Sequence, residues 1–554
     1  MAKITGGQAL IEILRLEKVN FVFGVPGATE VVLIDALEDA PDIQYILCLH
    51  ETAAVGIAEG YTRISGRPGF VNLHTNTGLA AALPLMANAL QGGVPLVITA
   101  GQQDTRLAAQ DPALRADLAG MARPFTRWAV EIHNAADIPL VMRQAFKIAL
   151  HPPQGPVFVS LPQNLLSEKL DFHYKAAETP QGRGQPDPDQ IRQAADLLLS
   201  AQSPLMLVED GVTQNDALAE VTELAELSGS GVYQSWMSDV NFPVNHPLYL
   251  GDLDVNSTKT RQLLARADVL VVAGSLFFSQ AVYMEEPLLP DGVKVIQIDD
   301  DAWQLNKNFP VEVAIECNIK RAISQLNRAY LAGVNPAIRE LVAGRTRKIG
   351  EESQLKARQL AEKALREHDL QPIAPSRLMQ EIKKAVLPGT RIVDDCWSAS
   401  AILRQTLGFS EPLSYLRARG GGSIGWGLPG ALGVKLADST HPVVCISGDG
   451  SAAWSIQSLW TAARYRIPVT FIICANAAYR QVRIMKSRIL GIPPEDRLLG
   501  SELKDPRIDF CGLANSFGMK AARVKEPAEL PAALERAFNE QAPNLVEVYL
   551  DDKI

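Results

Sequence analysis

The chain has 554 residues, 47% of them hydrophobic and 21% charged, with a formal net charge of −9. That length exceeds one domain, and the balance is that of a globular protein with a large core. No basic block interrupts the acidic background, and no run of about 18 apolar residues occurs, so nucleic-acid binding and membrane spanning have no support.

Apolar runs of strand length alternate with helix-period stretches along the chain. Residues 21–24, 45–49, 70–74, 96–100 and 157–161 read as buried strands. Between them, 52–65 and 79–91 carry apolar residues at helical spacing, as at Ala54, Ile57, Ala58 and Tyr61. The polar, Pro/Gly-rich stretch 176–188 reads as a linker. Strands are expected next at 205–208, 269–273 and 295–298, followed by a charged helical stretch, 339–367. A last block carries strands at 391–394, 443–447, 469–473 and 545–549. This alternation predicts an α/β protein of three doubly wound parallel-sheet domains, over 1–175, 190–335 and 365–554. Six cysteines (Cys48, Cys317, Cys396, Cys445, Cys474 and Cys511) form no C-x-x-C pair, and the N-terminus has no apolar signal core. Free thiols in a cytoplasmic enzyme are expected.

The most informative segment is Gly448-Asp449-Gly450-Ser451, where an apolar strand runs into a helix expected over 452–464. Asn476 follows Asp449 by 27 positions, at the end of the next apolar strand. Adjacent parallel strands would bring both side chains to one sheet edge, where open α/β sheets bind ligands. Oxygen donors there suit Mg²⁺, and the glycines and helix start suit a diphosphate. A lone Gly-Asp-Gly fits a plain turn better; the spacing to Asn476, with a strand before each element, reverses that in favour of the site.

The segment resembles the signature of the thiamine-diphosphate-dependent enzymes, the pyruvate decarboxylase/acetolactate synthase superfamily. The resemblance implies that Asp449, Asn476 and the Ala478 carbonyl hold Mg²⁺. The family's Asn-Asn pair is Ala475-Asn476 here. His50-Glu51 and the helix after it resemble the family's activating glutamate, which protonates the cofactor's pyrimidine. In Gly420-Gly-Gly-Ser-Ile-Gly-Trp-Gly-Leu-Pro429, the resemblance implies that the Gly422 carbonyl contacts the pyrimidine and Ile424 wedges beneath the cofactor. It further implies cofactor contacts from Pro26, Gly27, Ser398, Gly448, Gly450, Ser451 and Tyr479. Because the first block of one family subunit faces the third block of another, a homodimer or homotetramer is expected.

Within the family, the chain most resembles the benzoylformate decarboxylases over almost its full length, through Phe23-Gly-Val-Pro-Gly27, Asn72-Leu-His74 and Thr99-Ala-Gly-Gln-Gln103 among others. Those enzymes use a serine and two histidines. His74 matches one histidine; the serine position is Ala28, and the second histidine should fall in 274–281, which contains none and ends at Ala281. A pocket short of proton donors points to a 2-keto acid decarboxylase that also joins the resulting enamine to an aldehyde or keto acceptor. An acetolactate-synthase-like transferase is the alternative, although 190–335 shows no compelling FAD pattern. A binding protein that merely keeps the fold is disfavoured by intact Glu51, Asp449 and Asn476. The segment 479–488 carries four cations; these form either a solvated helix face or, at Arg480 or Arg483, an anchor for an anionic substrate, with Val482 beside them.

Overall fold

The computed structural model describes residues 3–176, 184–274, 282–493 and 497–551. Three six-stranded sheets, each wholly parallel, follow one another along the chain. In the first, the spatial order is 44–47, 21–24, 69–73, 96–102, 157–162, 128–131. The third repeats that winding with 415–417, 391–395, 443–448, 469–475, 544–549, 520–524. The second winds differently, as 249–253, 231–235, 204–208, 269–273, 294–299, 313–316, the order of dinucleotide-type sheets. A short antiparallel ribbon pairs 3–5 with 169–171.

Central strands such as Val269–Ala273 and Val469–Ala475 are buried along their whole length. That follows from helices covering both sheet faces and explains their unbroken apolar runs. Edge strands at 128–131, 249–253, 313–316, 415–417 and 520–524 are short or carry polar residues, and the apolar pattern misses them. Pro336–Arg366 is one 31-residue helix, close to the charged stretch expected from sequence.

One expected element is corrected. The helix anticipated over 452–464 is two, Asp449–Trp454 and Ser458–Tyr465, broken where Ser455 turns to an extended φ and its N–H bonds back to the Ala452 carbonyl.

The first and third sheets share one core. Helix Glu51–Ser65 lies against helix Gly427–Ala437, with Gly56, Ile57, Gly60 and Tyr61 facing Pro429, Gly430 and Gly433. A Cβ at Gly433 would sit 1.9 Å from the Ile57 carbonyl oxygen, so the two backbones approach as closely as they do only without side chains there. One apolar cluster then runs from Val55, Ile57 and Leu85 to Trp426, Leu428 and Leu432.

Candidate active site

Two sheet edges carry the candidate residues. In the third sheet, strands Val443–Gly448 and Val469–Ala475 are adjacent and parallel, which brings Asp449 and Asn476 to one edge as the spacing requires. A cavity of about 240 Å³ opens there, lined by Gly448, Asp449, Gly450, Ser451, Asn476, Ala478 and Tyr479. Gly422, Ile424 and Ser398 line the same space, as do Arg480 and Val482. Its described lining residues all lie between 375 and 551.

Asp449 is buried, and burial pushes its carboxyl up to about 6, against the pull of N–H donors at Ala477 and Gly450. A carboxylate taken out of water in this way is favoured by a cation beside it. Asn476 Oδ1 accepts from the Ala478 N–H at 3.0 Å. Between them Ala477 takes a left-handed φ of 54°, which a side chain tolerates at a cost of about 1–3 kcal/mol. The hard oxygen donors at Asp449 and Asn476, with the glycine-lined corner and a helix start at Asp449, fit a metal-bound diphosphate.

The loop reaching this cavity from 418 to 425 is fixed from two sides. Asn88, fully buried, accepts from the Ser423 N–H at 3.0 Å and donates to the Ser423 carbonyl at 2.9 Å. Asp395 accepts from the N–H groups of Gly425 and Gly427 and from Trp397 Nε1. Burial pushes the Asp395 carboxyl up to about 6. Gly422 has φ +76°, a conformation that leaves its carbonyl free of side-chain strain and demands glycine.

The first sheet contributes the second edge. Glu51 opens helix Glu51–Ser65, whose N-cap, His50, accepts from the Thr52 N–H at 3.2 Å. The carboxylate lies against Gly78, where a Cβ would meet its Oε1 at 2.8 Å. His74 ends the strand Gly69–Leu73 and packs on Gly27, leaving no room for a Cβ there. Its Nδ1 lies 2.9 Å from Oε2 of Glu30. Glu30 is buried, and its Oε1 accepts from the Gly101 N–H and the Thr29 hydroxyl. A carboxylate held this firmly fixes the imidazole's orientation and favours the proton on Nδ1. Pro26 and Ala28 sit exposed in the adjoining turn.

Arg483 is not in the cavity. It is fully buried within helix Arg480–Leu490, and its Nε donates to Ser501 Oγ at 2.9 Å. Arg480, Gln481 and Val482 at the helix start line the cavity, whereas Arg483, one turn further along the helix, is not among its lining residues. Ala281 lies outside the described residues. Sequence reasoning missed Trp397 and Gln481, which also line the cavity, and Glu30 behind His74. Glu30 was within reach, since it closes the turn 26–30; Trp397 had no signal beyond its place next to Ser398.

Comparisons with known proteins agree with this geometry. Residues 4–121, 191–326 and 398–548 match, in that order, the N-terminal TPP binding, central and C-terminal TPP binding domains of the thiamine pyrophosphate enzymes. The chain is 31% identical to benzoylformate decarboxylase from Pseudomonas aeruginosa, over 98% of both chains. It is 28% identical to the acetolactate synthase large subunit of Haemophilus influenzae, over 97% of this chain and 93% of that one. The solved structure of a thiamine diphosphate-dependent 4-hydroxybenzoylformate decarboxylase from Rhodococcus jostii superposes with TM-score 0.84 at 26% identity, covering 99% of each chain. With Asp449, Asn476 and a glycine-lined corner on one sheet edge and a glutamate-led helix on the other, this chain belongs to the thiamine-pyrophosphate-dependent enzymes of the decarboxylase and acetolactate synthase superfamily.

Proposed function

We propose that the protein decarboxylates a 2-keto acid and joins the acyl unit to a second carbonyl compound, an aldehyde or keto acceptor, using thiamine diphosphate and Mg²⁺. The observation that supports this reading is the pairing of a cavity lined by Asp449, Asn476 and Gly448–Ser451 with a separate edge presenting Glu51 and the Glu30-braced His74. When bound, the cofactor supplies a nucleophilic thiazolium carbon and an electron sink for loss of CO₂.

The chain's own residues would do the rest. Asp449, Asn476 and the Ala478 carbonyl hold the metal, while Gly448–Ser451 and Tyr479 receive the diphosphate. Ile424 supports the cofactor and the Gly422 carbonyl accepts a hydrogen bond from its pyrimidine. Glu51 exchanges a proton with the pyrimidine nitrogen, and Pro26 and Gly27 shape the adjoining wall. With Nδ1 engaged by Glu30, His74 Nε2 is the nitrogen for proton transfer at the substrate. Arg480 suits the substrate carboxylate, beside Val482 and Trp397. Domains 1–175 and 365–554 would serve the pyrimidine and diphosphate ends, with 190–335 between them in sequence. Because the cavity is lined from 375–551, Glu51 is best supplied by a second copy, in a homodimer or homotetramer. A cytoplasmic location fits the free cysteines, and no helix among the described residues is long and apolar enough to cross a membrane.

Carboligation is favoured by Ala28, which puts a methyl where a hydroxyl could protonate and release product. An acetolactate-synthase-like transfer between two keto compounds is the second reading, supported by the near full-length Haemophilus relative. A 2-keto acid panel, monitored for CO₂, aldehyde and 2-hydroxyketone with and without added aldehyde, separates them. Hydroxyketone formed at the expense of free aldehyde is the expected result. Acetolactate from pyruvate alone would favour the second reading, and rapid free aldehyde from benzoylformate would keep the decarboxylation and overturn the argument for carboligation.

A further inference from the structure

A buried charge cluster joins the three sheets at one point. From helix Glu51–Ser65 come Glu59 and Arg63; from the central sheet's loops, Asp210 and Asp239; from the segment before the glycine run, Arg419 and the backbone of Arg417. Asp239 is wholly buried and sits at its centre. Its Oδ1 accepts from Arg63 Nη2 at 2.5 Å and from the Arg417 N–H at 3.2 Å. Its Oδ2 accepts from Arg419 Nε at 3.0 Å and Nη2 at 2.6 Å. Asp239 is itself fixed, because its N–H donates to Asp210 Oδ1 at 2.8 Å. Arg63 Nη1 donates to the Arg417 carbonyl at 2.7 Å, so both backbone polar groups of that residue are pinned.

Three residues beyond Arg419 lies Gly422, and two further Ile424. Glycines at 420, 422 and 425 all have positive φ, and four of the six residues 420–425 are glycine, the residue with the most conformational freedom to lose. Its place depends on its anchors. Replacing buried ion clusters by apolar residues often stabilises a protein, which leaves geometry as the reason to keep one here.

We infer that Asp239, a residue of the central sheet's loop, is a positioning residue for the cofactor loop, setting Gly422 and Ile424 through Arg419 and the Arg417 peptide. Through Arg63 it ties the same point to the helix that begins at Glu51. A neighbouring contact runs the same way: Arg417 Nη1 donates to the Trp236 carbonyl at 2.7 Å, and the Trp236 ring meets cavity-lining Trp397 edge-on at 6.0 Å.

The inference rests on the cofactor reading above, and its test separates the two. Apo-protein is titrated with thiamine diphosphate plus MgCl₂, and separately with magnesium pyrophosphate, following tryptophan fluorescence. Pyrophosphate needs only the Asp449 corner; thiamine diphosphate needs the 420–424 loop as well. D239N should raise the Kd for thiamine diphosphate about tenfold while leaving that for pyrophosphate unchanged. Weakening of both alike, as general damage would give, or of neither, overturns the inference. If D239N does not fold, R419K, which keeps the charge and loses the two-pronged contact, is read by the same criteria. Wild-type protein that binds neither ligand overturns the cofactor reading, and the inference with it.

Discussion

The first and third sheets have the same strand order and opposite chemistry at their carboxyl edges. The third presents Asp449, Asn476 and glycine backbone, oxygen and N–H groups proposed to hold a metal and a diphosphate. The first presents Glu51 and a His74–Glu30 pair, groups proposed to move protons. In the proposed function, loops on one scaffold thus divide binding from proton transfer, and the two halves work only together.

Breaking each half separately should give distinct phenotypes. E51Q, on the proton-transfer edge, should lower kcat by about 10²–10⁴-fold with the cofactor Kd unchanged. Proton exchange at the cofactor's thiazolium carbon, followed by NMR, should slow with it; exchange at the wild-type rate contradicts the role. D449N, on the binding edge, should weaken magnesium-dependent cofactor binding by about ten- to a hundredfold, with turnover recovering at saturating Mg²⁺ and cofactor. A D449N protein that binds normally would remove the metal assignment.

A smaller effect sharpens the first edge. E30Q removes the acceptor charge on His74 Nδ1 and should lower kcat about tenfold without altering cofactor affinity. Equal activity in E30Q and wild type would reduce Glu30 to a support for the turn.

The smallest effect is on stability and concerns a second glutamate of the same helix. Glu59 is wholly buried, and desolvation pushes its carboxyl up to about 7, with Asp239 adding to the rise and Arg63 and Arg419 opposing it. A folded-state value above the unfolded one means that its contribution is fully present below about pH 4.5 and is lost as pH rises through 7. Wild type should therefore lose, relative to E59Q, about 2–3 kcal/mol between pH 4.5 and 8 in denaturant titrations. Parallel pH curves for the two proteins would show that Glu59 stays ionised in its cluster.

Much of this was legible in the sequence, for physical reasons that differ by residue. Buried parallel strands announce themselves as unbroken apolar runs, and Asp449 and Asn476 follow from strand adjacency plus spacing. Glu51 was singled out through the resemblance of His50–Arg63 to the family's glutamate helix, since a carboxylate at a helix start is by itself ordinary. The edge strands were not, since one uncovered flank permits residues such as Lys520 and Arg523. Arg483 misled because a run of cations gives no sign of which helix face is buried. The Asp239 cluster was invisible: its members lie at 59–63, 210–239 and 417–419, and only tertiary folding brings them together.

The most direct test of the two-edge account is to mix the inactive variants. E51Q and D449N subunits, unfolded together and refolded with cofactor and Mg²⁺ near wild-type Kd, should regain roughly a quarter of wild-type activity, because random pairing gives half of the dimers one intact site each. Activity no higher than that of the two variants refolded alone would contradict a site built from Glu51 of one copy and Asp449 of another.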